Sequence, residues 1–359
     1  MNATDGHNDP FDCFGDSSGS DDDDDSNHNN ADAAAVMANL EEAHRLKEKS
    51  NAGPISMTHI TNNDSFEVFD AGPLSGKGLR ATIAYKCGDE ILRESAAMRI
   101  PNQQSASSLE AAEALHQNAI QRAYNSMHPT TQASFMELSS CNEDGLDGAI
   151  RTPWGVYDTN SFRLGNDACG GLFLTIARMN HSCRPNVNHF WRTDLEQTLV
   201  FATRDIQIGE ELCTIYGPSE CMDTRGRREY LSERFSFRCM CEMCVEGNTN
   251  GGDERMIEIQ SLQEEISLLS SVVLTSDKAT AALDSIEKCL ALMEKQGIGG
   301  GVFTKSIYHH GYDICLAIGD DEGARGYLRK ELIAVKHSEG ADCSKVVEIE
   351  YALNHLRKG

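Results

Sequence analysis

From about Ser65 onward, apolar and polar residues follow one another in short runs punctuated by glycine. Phe66–Phe69, Leu79–Ala84 and Glu90–Glu94 have the length and patterning of strands. Glycine-containing turns separate them at Gly72-Pro73, Gly76-Lys77-Gly78 and Gly88-Asp89. The period then changes. Between Ser107 and Ser139, apolar positions at Leu109, Ala112, Leu115, Ala119 and Ile120 predict a helical insert. Gly170–Met179 reads as a further helix running straight into Asn180-His181. Strands resume at Val187–Trp191, Gln197–Ala202 and Glu211–Ile215. Beyond Cys244 the pattern turns helical, over Glu254–Glu294 and Thr304–Arg357, with glycine breaks at 297–301, Gly319 and Gly340. The hydropathy pattern therefore predicts an α+β domain followed by an α-helical one.

The first fifty residues read differently. They are rich in Asp, Ser, Asn and Gly, with an unbroken acidic run at Asp21–Asp25. Such a segment buries too little apolar surface to offset its ordering entropy, so residues 1–50 are expected to be a disordered acidic tail. Within it, Ala31–Glu48 carries a short helical stretch ahead of Gly53-Pro54. The formal net charge of the 359-residue chain is −24. That argues against direct nucleic-acid binding, which needs a basic surface. An acidic surface keeps a protein soluble, and it also attracts a basic partner such as a Lys-rich histone tail. No apolar run approaches the ~20 residues of a membrane span, so no membrane partner is expected. The N-terminus is too polar for a secretory signal, which points to the nucleus or cytoplasm. In that setting the 13 cysteines read as thiols or metal ligands rather than disulfides. Cys289 and Cys315 fall on helical apolar positions as small core residues.

Four short motifs carry the chemistry. Gly76-Lys77-Gly78-Leu79-Arg80 is, taken alone, a hairpin turn in which glycine lets backbone N–H groups approach a ligand. Asn180-His181-Ser182-Cys183-Arg184-Pro185-Asn186 could by itself end a helix, with Pro185 fixing the turn and Asn186 capping the backbone. Glu211-Leu212-Cys213-Thr214-Ile215-Tyr216 is a strand ending on a tyrosine. Cys239-x-Cys241-x-x-Cys244 crowds three thiols together, which favours a metal over a disulfide. Arg225-Gly226-Arg227-Arg228 has helical spacing and is expected on a solvated face.

In this order the four motifs resemble the SET-domain protein lysine methyltransferases, nearest the SET–MYND (SMYD-like) subgroup. The resemblance implies a SET-domain β-clip fold over residues 60–245, with a helical insert at about 95–160. It also implies a pseudoknot, a post-SET zinc segment at 235–245, and a helical, TPR-like C-terminal domain at 252–359. The implied activity is N-methylation of a lysine on a protein substrate, histone or not, with S-adenosyl-L-methionine as cofactor. Its rivals are a catalytically silent SET-fold scaffold and a purely structural zinc protein. By the same resemblance Ser75, Gly76, Lys77, Gly78, Asn180 and His181 bind the cofactor, with Phe235 and Phe237 near its adenine. Tyr216 lies on the cofactor and is the catalytic residue, pointing at the meeting place of cofactor and lysine. Cys183 joins Cys239, Cys241 and Cys244 as the fourth ligand of Zn2+, and Phe162 supports the site. One departure stands out. The region where the subgroup carries its MYND zinc module, Ser95–Asp158, holds only Cys141, His116 and His128, so that module is replaced by helices.

Overall fold

The structure, a computed structural model, describes residues 64–72, 75–101, 108–141, 150–165, 169–217, 222–270 and 275–356. The acidic tail and the helical stretch expected at Ala31–Glu48 lie outside the described residues. β1 (Phe66–Gly72) and β2 (Gly76–Ala81) form an antiparallel hairpin with Val68 opposite Leu79. β3 (Glu90–Ser95) and β4 (Met98–Pro101) follow, then the insert, with helices α1 (Leu109–Ser126), α2 (Pro129–Met136) and α3 (Pro153–Asn160). β5 (Ser161–Arg163), β6 (Cys169–Leu172), β7 (Asn180–His181), β8 (Val187–Arg192), β9 (Gln197–Ala202) and β10 (Cys213–Thr214) complete the strands. They make two three-stranded sheets, β3-β9-β8 and β4-β6-β5, and a parallel pair, β7 with β10. β9 is the middle strand of its sheet and is buried from Thr198 to Ala202, as a strand covered on both faces should be.

Two expectations are corrected here. Gly170–Met179 is not a helix: Gly170 and Gly171 lie in β6, paired with both β4 and β5, and only Ile176–Arg178 makes a 3-10 turn. Adjacent glycines resist helix formation, and here they let Tyr157 and Leu164 pack directly on the strand backbone. In the insert, Ile120 is buried with Phe135, Val156 and Tyr157, but Leu109 and Leu115 are exposed. The apolar stripe of α1 is therefore shorter than its periodicity suggests. Ser108 caps the helix through a hydrogen bond from Ala111 N–H, and Pro129 and Pro153 open α2 and α3 at positions that need no N–H donor.

After β10 come α4 (Thr224–Phe235) and the short α5 (Glu242–Glu246). Five helices end the chain: α6 (Gly252–Ser270), α7 (Ser276–Gln296), α8 (Gly301–Ala317), α9 (Asp321–Glu339) and α10 (Ser344–His355). Short connections fold α6 against α7 and α8 against α9. α7 buries Ala279, Ala282, Ile286, Cys289 and Met293, a single stripe at helical spacing. That stripe belongs to a core that runs without a break into Leu231, Met243 and the cysteine segment. Polar contacts tie the helices to the sheet: Asn188 Nδ2 donates to Ser338 O at 3.0 Å and Arg192 pairs with Asp342 at 2.7 Å. No described helix is long and apolar enough to cross a membrane.

α8 and α9 approach closely because Gly301 has no side chain. A Cβ built there would lie 2.4 Å from Ala334 O. Gly301→Ala is expected to destabilise the fold by about 1–3 kcal/mol through overpacking, seen as a lower thermal midpoint. Gly326→Ala in α9, where a Cβ meets nothing within 4 Å, should be neutral or slightly stabilising.

Candidate active site

The site is built around residues 209–216, which are hydrogen-bonded on both edges. On one side Gly209 N–H donates to Ala81 O at 2.8 Å, Ala81 N–H to Glu210 O at 2.9 Å, and Leu212 N–H to Leu79 O at 2.8 Å. On the other, β10 pairs with β7, and Ser182 N–H donates to Thr214 O at 2.9 Å. Asn186 closes this edge with its side chain. Its Oδ1 accepts from Cys213 N–H at 2.8 Å and its Nδ2 donates to Glu211 O at 2.7 Å. The segment thus passes between the 79–81 strand and the 180–186 loop, the threaded arrangement expected of a pseudoknot. Only Cys213–Thr214 of the expected Glu211–Ile215 strand is regular, because side chains and isolated bridges supply the remaining bonds.

Asn180, His181 and Tyr216 are brought together by this seam. Asn180 Nδ2 donates to Glu211 Oε1 at 2.8 Å. Gly78 sits against both groups: a Cβ there would be 2.7 Å from Glu211 Oε1 and 3.0 Å from Asn180 Nδ2. No other residue fits without pushing the pair apart. His181 Nδ1 accepts from Tyr216 N–H at 3.0 Å, while its Nε2 lies 3.2 Å from Cys183 Sγ. Burial pushes this imidazole down to about 4, so it is neutral at physiological pH. With Nδ1 accepting, the proton belongs on Nε2, facing sulfur. The Tyr216 hydroxyl donates to Met179 O at 2.8 Å, and burial pushes its pKa upward, so it stays a neutral phenol. Phe235 lies 5.0 Å from the Tyr216 ring, and Phe237 lies 6.0 Å from His181 and 6.3 Å from Tyr216. Phe162 instead packs 4.8 Å from His189 and 5.9 Å from Phe173, in the sheet core.

Beside this cluster is a cavity of about 600 Å3 lined by Gly76, Lys77, Phe69, Glu137, Ala177 and Arg178, among others. Ser75 stands at the turn before it, its N–H on Gly72 O, and is not part of the lining. Lys77 Nζ lies 3.1 Å from Glu137 Oε2, and Arg178 reaches the same oxygen at 3.3 Å. Lys77 holds the Glu137 carboxyl below its usual range. Arg178 is almost wholly buried, so a cation is fixed in the wall of the cavity. Sequence reasoning did not single out Glu137, Arg178 or the Glu211 carboxylate. Glu137 is 60 residues from Lys77 and arrives only through the insert. Arg178 stood one residue before Met179-Asn180, within reach of the motif.

Cys183, Cys239, Cys241 and Cys244 converge, with all four Sγ atoms within 4.8 Å of one another. Cys183 lies 3.9 Å from Cys239 and 3.5 Å from Cys244. A tetrahedron of thiolates at ~2.3 Å from a metal has edges of about 3.8 Å, so the donor set and its spacing suit such a centre. The expectation for Arg225–Arg228 is corrected in part. Arg225 is on the surface with Glu229, but Arg227 is fully buried and donates to Met222 O and, at 2.9 Å, to Thr224 Oγ1. Arg228 turns back to donate to Cys239 O at 3.2 Å and Cys244 O at 2.7 Å, bracing the cysteine segment. Helical spacing alone does not show that the next segment folds back over this face.

Comparison with known proteins agrees with this geometry. The family model described as "SET domain" matches residues 76–217. Histone-lysine N-methyltransferase set5 of Schizosaccharomyces pombe is 26% identical over 300 residues, covering 79% of this chain and 82% of that protein. N-lysine methyltransferase SMYD2-B of Xenopus laevis is 26% identical over 174 residues, 44% of this chain and 39% of the relative. Histone-lysine N-methyltransferase SMYD3 of Homo sapiens is 35% identical over 89 residues, 24% of this chain and 20% of the relative. The glycine hairpin, the 209–216 segment and the Asn180-His181-Tyr216 cluster all fall inside the span that matches the SET domain model, and the chain is similar to the Set5 and SMYD methyltransferases.

Proposed function

We propose that this chain transfers a methyl group from S-adenosyl-L-methionine to the side-chain amine of a lysine on a protein. The observation that carries the reading is the Tyr216 hydroxyl, held on Met179 O inside the His181–Phe235–Phe237 aromatic cluster and next to the Gly78–Asn180 contact. When bound, the cofactor supplies an electrophilic methyl on a positively charged sulfur. Gly76 and Lys77 offer the cavity wall for its amino-acid end, Asn180 and His181 the hydrogen bonds, and Phe235 and Phe237 the flat apolar faces.

A lysine amine must be neutral to attack, yet its ordinary pKa is about 10.4. The aromatic lining disfavours the ammonium form by keeping water out. Tyr216 is the wrong group for a strong base, since burial keeps its proton on. Its part is to hold the amine lone pair in line with the methyl, where orientation supplies much of the rate. The four cysteines are proposed to hold Zn2+ as thiolates, pinning the 235–245 segment beside Tyr216 through Cys183. A basic protein segment, a histone tail among the candidates, suits a chain of net charge −24.

Three measurements follow. Tyr216→Phe should lower kcat by roughly 100-fold or more, while isothermal titration shows cofactor affinity within a few-fold of wild type. Cofactor binding by the wild-type protein with no turnover on any basic peptide would instead leave a binding module. Removing zinc with a chelator, or Cys239→Ser, should lower the thermal midpoint and weaken cofactor binding together. Bound metal absent from the purified protein by elemental analysis would overturn the zinc assignment. Raising the salt concentration should raise KM for a Lys-rich peptide without changing kcat, and a flat KM would remove the electrostatic part of the proposal.

A further inference from the structure

The turn that carries the site is gripped by a carboxylate from the other sheet. Glu94 lies on β3, opposite Thr198 of β9 and on the same strand face as the buried Leu92. The alternating pattern calls for an apolar residue at that position. Instead its carboxylate accepts Thr175 N–H at 3.0 and 3.1 Å, one bond to each oxygen, and Ile176 N–H at 2.9 Å. Thr175 and Ile176 begin the 3-10 turn, whose first N–H groups have no partner within the turn itself. Four residues beyond Thr175 is Met179, whose carbonyl receives the Tyr216 hydroxyl, and Asn180-His181 follows directly. Ala177 and Arg178 of the same turn line the cavity.

We propose that Glu94 is a positioning residue of the active site, its carboxylate fixing the 174–179 turn so that Met179 O, Asn180 and Arg178 stand in register with Tyr216 and the cavity. Among the described contacts, Glu94 supplies the side-chain acceptors for the opening N–H groups of this turn. The other backbone N–H bonds of the turn are local: Ala177 N–H to Phe173 O at 3.2 Å, Arg178 N–H to Thr175 O at 3.0 Å and Met179 N–H to Ile176 O at 3.0 Å. Those bonds all lie within residues 173–179, whereas the Glu94 bonds tie the start of the turn to β3. Burial pushes its carboxyl up in spite of the backbone donors.

The role rests on the methyltransferase reading, and the test separates the two. Glu94→Ala and the isosteric Glu94→Gln, which keeps only one acceptor oxygen, are compared with wild type in three measurements. These are amide hydrogen exchange over residues 173–181, cofactor affinity by titration, and kcat well below the thermal midpoint. The expected result is faster exchange confined to that segment and cofactor Kd raised about 10-fold. kcat should fall about 10- to 100-fold, since small misplacements cost this much, with Glu94→Gln between wild type and Glu94→Ala. A purely structural residue would lower the thermal midpoint and leave kcat of the folded protein unchanged, which would overturn the proposal. Should Glu94→Ala not fold, Glu94→Gln decides alone: wild-type exchange and wild-type kcat would sink the idea. If the wild-type protein neither binds cofactor nor methylates any peptide, the functional reading fails while the exchange measurement still tests the Glu94 grip.

Discussion

Residues 209–216 bond to 79–81 through their first half and to 180–186 through their second, and the rest of the site hangs on that constraint. A buried backbone donor or acceptor left without a partner costs about 1–3 kcal/mol. This segment avoids the cost by taking partners from 79–81 on one side and from 180–186 on the other. Three parts of the chain far apart in sequence are thereby locked in one register. Asn180, His181 and Tyr216 take up their positions as a consequence of backbone pairing, before any ligand is considered. Where the backbone ladder runs out, Asn186 supplies both a donor and an acceptor, which ties the end of the heptad motif to the same strand.

Packing then extends this frame in two directions. Toward the insert, Leu172, Tyr157 and Phe135 share a core that presents Glu137 to the cavity. Toward the C-terminus, Arg184 of the heptad donates to Gln296 O at 2.8 Å and pairs with Glu246 at 2.9 Å. Tyr216, Phe235 and the cysteines pack against the same core as α6–α8. The helical region therefore backs the segment that carries Tyr216 and the cysteines.

The strands and helices with clear periods were legible from sequence: β1, β3, β8 and β9 fall where the pattern puts them, and the region after Cys244 is helical, though the run read as continuous over Glu254–Glu294 is two helices, α6 and α7. The structure also brings Asn180, His181 and Tyr216 together, and gathers the four cysteines from two separate motifs. What was not legible depends on tertiary contact. Gly170–Met179 has helix-like apolar spacing, but two glycines and pairing to β4 and β5 pull half of it into a sheet. Glu137 and Glu94 are single carboxylates with no local pattern to mark them. Arg227 looks solvated in a basic run until α6 and the cysteine segment close over it.

One residue, Cys183, joins the two sites proposed above: its sulfur is in the thiol cluster, and His181 stands two positions back with Nε2 3.2 Å from that sulfur. Two ligands that share a rigid piece of chain are thermodynamically linked, and the linkage is reciprocal. By whatever factor a metal on the cysteines tightens cofactor binding, the cofactor must tighten the metal. Were that factor above one, scarcity of either ligand would loosen the other, and occupancy of one proposed site would report on both supplies.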